Sequence, residues 1–168
     1  MLPSDPLKRV LFIDLSRRRF RIEERPDLFE EGLGGTGVAI RLLSELCPER
    51  ADPLGPENPI IFAVGPLTSR FPMASKTVAM FKSPHTGNLG ESHAGGRSAI
   101  AIRMAGYGAI VIQGASAMPV YLVIGDDAVA FRDASALWGT RSSYTTGDAL
   151  RTRQSGSGYR TIMRIGRA

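Results

Sequence analysis

With 168 residues, 43% of them apolar and 22% charged, the chain is long enough to bury one core and too apolar for a disordered polyelectrolyte. Its net charge of +5 comes mostly from arginines scattered without interleaved aromatics, which excludes a base-stacking platform and argues against a nucleic-acid partner. The one cysteine, Cys47, excludes an internal disulfide and a zinc or iron–sulfur site built by this chain alone, and no apolar run approaches the roughly 20 residues of a membrane-spanning helix.

In chain order, Met1 to Pro6 has neither a basic region nor an apolar stretch, so no signal peptide is expected and a cytoplasmic location follows by default. Val10–Leu15 and Arg19–Glu23 read as a β-hairpin around a basic turn, with Arg17, Arg18 and Arg19 in solvent. Asp27 to Glu31 reads as one helical turn, and Gly32 to Gly37 as a glycine loop. Thr36 is the expected N-cap of the next helix, where Val38, Ala39, Leu42, Leu43, Leu46 and Cys47 recur at steps of three and four and share one face. Pro48 ends that helix, and Cys47 on its apolar face reads as an inert thiol. The segment from Ala51 to Pro59 holds three prolines and forms a rigid connection.

Ile60–Val64 is a continuous apolar strand, Gly65–Thr68 a turn, and Thr77–Phe81 a second strand that leads into the glycine-rich run from Lys82 to Arg97. Ser98 is the expected N-cap of a helix over 99–105, stopped by Gly106. Ala109–Gln113 is another buried-type strand. Pro119–Ile124 and Ala128–Phe131 pair as a hairpin about an acidic turn. Thr145–Arg153 is weakly helical, Gln154 to Gly158 a flexible link, and Tyr159–Ile165 a last strand. Hairpins outnumber crossover units, which predicts an α+β fold with a mixed or antiparallel sheet rather than a doubly wound parallel one. A chain that stops directly after a strand reads as a single, interrupted domain over 1–168.

The run from Lys82 to Arg97, with Gly87, Gly90, Gly95 and Gly96, leaves two readings open. It is either a surface loop of turn-forming residues or a backbone cradle for an anionic group, toward which Lys82 and His93 would point. Lys76 and Lys82 flank a strand and could meet phosphates as point charges. His85 is explained by its own turn. Gly32-Leu-Gly-Gly-Thr-Gly37 matches the dinucleotide fingerprint in letters, but Asp27 to Glu31 ahead of it is polar and helix-leaning where that motif needs a strand, so a tight turn is the better reading. Two histidines without a cysteine do not make a metal cage, and no nucleophile–base pair or carboxylate pair stands out, so no catalytic residue is expected.

Taken together, Gly34-Gly35 with Gly37, Asp52 to Asn58, Gly65-Pro-Leu-Thr68, Lys82-Ser-Pro with Thr86-Gly87, His93-Ala-Gly-Gly96, Ala105-Gly-Tyr107, Pro119-Val-Tyr121 and Leu137-Trp-Gly139 resemble the N-terminal domain of the aldehyde ferredoxin oxidoreductases, the tungsten-pterin enzymes. The resemblance runs from about Val10 to the C-terminus. It implies a saddle-like β base with two main helices. It also implies a tungsten (or molybdenum) ion held by two pterins whose phosphates are bridged by magnesium.

The family oxidises aldehydes to carboxylic acids and passes electrons through a 4Fe-4S cluster to ferredoxin. Its cluster cysteines lie in later domains, so the resemblance makes this chain a cofactor-cradling part whose partners are the remaining domains or a separate subunit. Residue by residue, it assigns Lys76 (commonly arginine in the family), His93, Ala94, Gly95, Gly96 and Arg97 to the cofactor, and His93 (often asparagine) to the magnesium. Arg97 stands where an aromatic is usual, and Thr36 where an arginine is common. These departures motivate the rival reading, a non-catalytic interaction module of the same fold.

Overall fold

The computed structural model describes residues 6–140, 142–154, 156 and 158–165. After a short 3-10 turn, the chain forms β1 (Arg9–Asp14), β2 (Arg19–Glu24), α1 (Pro26–Gly32), α2 (Thr36–Leu46), β3 (Ile60–Val64), β4 (Thr77–Lys82), β5 (Leu89–Ala94), α3 (Ser98–Met104), β6 (Ala109–Gln113), β7 (Val120–Gly125), β8 (Ala128–Asp133) and α4 (Ser143–Arg153). Six strands make one sheet in the order β2-β1-β6-β3-β4-β5. Only β1 and β6 run parallel within it, so the expected α+β fold with a mixed sheet is what the chain adopts. β7 and β8 form a separate two-stranded hairpin.

The central strands are apolar on both faces because both faces are covered. Val10, Leu11, Ile61, Ala63, Val64, Met80 and Ala109 are all fully buried, together with Val38, Ala39 and Leu42 of α2. The small hairpin packs on this core through Leu122, Ile124, Val129 and Phe131. It is tied down where the Tyr107 hydroxyl donates to the Gly125 carbonyl (3.1 Å) and where Arg9 pairs with Asp126 and Asp127.

Helix α1 joins α2 through the glycine segment. Leu33 is left-handed (φ 58°), and a β-carbon on Gly37 would overlap the Gly32 carbonyl oxygen, so the segment is a tight helix-to-helix turn. The proline-rich connection is a scaffold: the Asn58 side chain accepts the Lys82 N–H (2.9 Å) and donates to the Pro53 (2.7 Å) and Lys82 (2.9 Å) carbonyls.

Four local expectations are corrected. The stretch 89–94, read as loop, is strand β5; it lies at the sheet edge, exposed on nearly every residue, and so lacks the apolar alternation that marks a half-buried strand. Thr36 does not cap α2. Gly35 does, at φ 55°, by backbone geometry alone. Ser98 does not cap α3, because its hydroxyl lies 2.7 Å from the Thr77 hydroxyl instead; Arg97 holds the cap position. Tyr159–Ile165 is irregular rather than a strand, since its anchors are side-chain contacts, with Tyr159 beneath Arg97 and Arg164 over Tyr144. The expected link 154–158 lies partly outside the described residues. Among the described residues no helix is long and apolar enough to cross a membrane.

Candidate functional site

The pairing register gathers several glycine segments at one end of the sheet. Val64, the last residue of β3, pairs with Thr77, the first of β4, and Thr77 pairs with Ala94, the last of β5. The loop Gly65–Thr68, Lys76 and the turn Gly95–Arg97 therefore leave the sheet side by side. Gly35 joins them, because its N–H donates to the Val64 carbonyl (2.9 Å) and so fixes the start of α2 against the end of β3. The Ser98–Thr77 hydroxyl bond fixes the start of α3 to β4 in the same way. The first-turn N–H groups of a helix have no partner within it and carry the positive end of its dipole.

The rim is bare. A β-carbon on Gly65, Gly95 or Gly96 would meet nothing within 4 Å, and Gly96 takes φ +87°, which disfavours a side chain there. Residues 91–97 are all exposed. Lys76 is exposed and makes no hydrogen bond or ion pair with a described residue. Arg97 stands at the head of α3 with its guanidinium 5.8 Å from the Tyr159 ring. Uncovered backbone flanked by two cationic side chains fits an anionic group that is large enough to lie across several segments.

The other expected residues fall differently. His93 pairs with Val78 on β5, one residue before Ala94, and successive strand residues point to opposite faces. Its ring and the Ala94 methyl therefore face apart, and the ring nitrogen Nε2 lies 3.5 Å from Glu91 Oε2. Among the described residues no group of three or more His, Cys, Asp and Glu side chains comes together as a metal site. A metal at His93 would have Glu91 beside it and would need further oxygen donors from outside this pair.

Lys82 sits at the far end of β4 from Lys76. Its ammonium donates to the Glu49 (2.7 Å) and Ala51 (2.8 Å) carbonyls, so it pins the segment after α2 to the sheet rather than meeting a ligand. His85 lies in the exposed β4–β5 turn. Cys47 is half-buried against the core with its sulfur 3.7 Å from the Pro48 carbonyl. Reading the residues singly missed the convergence of Gly35 and Gly65 with Gly95 and Gly96. The glycines themselves were the available signal, but the register that joins them runs through β5.

Residues 10–168 match the family model described as aldehyde ferredoxin oxidoreductase, N-terminal domain. The chain is 40% identical over 162 residues to a tungsten-containing aldehyde ferredoxin oxidoreductase of Thermococcus kodakarensis, covering 95% of this chain and 26% of that protein. It is 36% identical over 135 residues to the aliphatic sulfonate oxidoreductase, WOR-like subunit, of Pyrococcus furiosus, covering 78% of this chain and 22% of that one. The active site complex BamBC of benzoyl coenzyme A reductase, solved with 1,5-dienoyl-CoA, superposes with a TM-score of 0.83 and 32% identity over 88% of this chain and 23% of its own. The chain thus spans about a quarter of the length of the curated relatives it matches.

Proposed function

The chain belongs to the aldehyde ferredoxin oxidoreductase family, and from that membership we propose that it is the cofactor-cradling N-terminal domain of a tungsten-pterin oxidoreductase, as part of a longer chain or of a split enzyme. The observation that carries this reading is the uncovered glycine rim where β3, β4 and β5 end beside the starts of α2 and α3.

When bound, the tungsten (or molybdenum) bis-pterin group supplies the two-electron oxidation of an aldehyde to a carboxylic acid, with electrons leaving through a 4Fe-4S cluster to ferredoxin. This chain's own part is to bind and orient. The backbone of Ala94, Gly95 and Gly96 would hold the pterin through amide contacts that a side chain at the glycines would block. Lys76 and Arg97 balance phosphate charge, Lys76 as a compact point charge and Arg97 through its planar fork. His93, one residue before Ala94, would offer a ring nitrogen to the magnesium that accompanies the pterin phosphates. The single cysteine leaves the cluster to the remaining domains or to a separate subunit, which are the partners this reading requires.

Gly95→Val tests the reading. A β-carbon there meets no atom within 4 Å, so the fold should be unchanged, while the valine occupies the space assigned to the cofactor. Co-expressed with the remaining part of the enzyme, the variant should melt within about 2 °C of the parent. Its tungsten by mass spectrometry and its pterin by fluorescence after oxidation should fall at least about tenfold. Parent protein devoid of tungsten, molybdenum and pterin would leave the interaction module as the function; equal cofactor content in the variant would move the cofactor away from this rim.

A further inference from the structure

We propose that the chain carries a second anion site, remote in sequence from the glycine rim, in the concavity between the β1–β2 turn and β8, and that it takes a small organic anion with a phosphate or carboxylate head on an apolar body. The concavity holds about 230 Å3 and is lined by Arg18 from the turn, by Arg132 and Asp133 from β8, and by an apolar floor of Met118, Pro119 and Phe131. That volume lies below the usual range for drug-sized ligands and suits a compact molecule rather than a dinucleotide.

The arginines of the site lack a close partner. Arg25 is held by Asp27 and Glu45, Arg41 by Glu31 and Arg151 by Asp148, whereas the side chains of Arg18 and Arg132 make no hydrogen bond or close ion pair with a described residue, and Arg18 acts on Asp133 only at longer range. Asp133 is the local counter-charge; the Ser135 N–H (2.8 Å) and hydroxyl (2.6 Å) both donate to its Oδ1, which fixes the carboxylate in place without cancelling its charge. Arg153, at the end of α4, adds a further cation within electrostatic reach of the same carboxylate. With Arg18 and Arg132 lining the concavity and Arg153 acting on Asp133 from α4, three arginines against one carboxylate leave a positive surplus, and planar guanidinium forks match the oxygens of phosphate and carboxylate.

Arg18 also stands at φ 50°, a left-handed conformation that strains a residue with a β-carbon and that glycine would take without strain. The turn therefore holds a long cationic side chain where local conformation alone would favour glycine. The strain also supplies a clean variant, since Arg18→Gly removes the guanidinium and relieves the backbone.

The experiment is calorimetric titration of the full chain with phenyl phosphate, benzoate and inorganic phosphate. It is done at low ionic strength, where a Debye length of roughly 30 Å leaves exposed charges unscreened. Saturable one-to-one binding is expected, tighter for phenyl phosphate than for inorganic phosphate; the benzoate arm tells whether carboxylate serves as well. Arg18→Gly and Arg132→Gln should each weaken phenyl phosphate at least about tenfold, the loss expected with one charge-assisted hydrogen bond. Arg18→Gly should melt at or above the parent temperature, which separates lost binding from lost fold. Equal binding by parent and both variants, or no saturable binding of any probe, would overturn the site. Any phosphate taken up at the glycine rim is common to parent and variants, so the loss on substitution reads this site and not the tungsten-pterin reading.

Discussion

Thr68 closes the turn after β3 and is fully buried, yet its hydroxyl has no hydrogen-bond partner among the described residues. An unpaired buried hydroxyl loses its water without recompense. Valine has nearly the same shape and no hydroxyl, so Thr68→Val should stabilise the chain by about 1 kcal/mol and raise its melting temperature by roughly 2–4 °C. A thermal melt followed by circular dichroism checks this, and an unchanged or lower midpoint would mean that the hydroxyl finds a partner in solution. Tyr107 is the contrast: it is equally buried, but its hydroxyl reaches the Gly125 carbonyl, so Tyr107→Phe should cost about 1 kcal/mol in the same melt. The two lysines make a similar pair. Lys82, bonded to two carbonyls, serves the fold, whereas Lys76 is exposed.

At the scale of elements, Arg25 clamps two helices: it bonds Asp27 in the first turn of α1 and Glu45 near the end of α2. The hydrogen bond from Arg25 holds the Asp27 carboxyl below its ordinary range. A carboxyl depressed in the folded state stabilises above its unfolded pKa of about 3.9, and that contribution is lost as pH falls through the folded value. The parent should therefore lose melting temperature between about pH 5 and pH 3 more steeply than Asp27→Asn, and parallel curves would show that the clamp is fully solvated.

Elements buried on both faces were the legible ones. Ile60–Val64 and Ala109–Gln113 stand where their apolar runs put them, because the burial of Ile61, Ala63, Val64 and Ala109 to Val111 demands apolar residues on both faces. Strand β5 carried no such demand. Its pattern Leu-Gly-Glu-Ser-His-Ala is set by the backbone ladder to β4, which composition does not record. The caps failed for a related reason: Gly35 and Arg97 hold their places through backbone conformation and neighbouring strands rather than through side-chain chemistry. The site was legible as glycines and as a family resemblance, but its assembly waited on the β5 register.

At the scale of the whole molecule, the loop after β3 bears on assembly. Leu67, Phe71 and Met73 are 52%, 59% and 103% exposed within seven residues, and the loop leaves the sheet beside the glycine rim. Single exposed apolar residues are ordinary on protein surfaces, but a cluster of large ones marks a surface that another protein element covers. The chain spans about a quarter of its curated relatives, and under the function proposed above the remaining part of the enzyme is the expected cover. Phe71 buries little within this chain, so Phe71→Ser should change the stability of the isolated chain by less than about 0.5 kcal/mol. The same substitution should weaken co-purification with the remaining part by at least about tenfold, as loss of a buried aromatic at an interface does. An untouched co-purification yield, with the isolated chain still folded, would place the contact elsewhere. It would also leave this apolar loop exposed in the assembled enzyme, where it should still bind a hydrophobic dye.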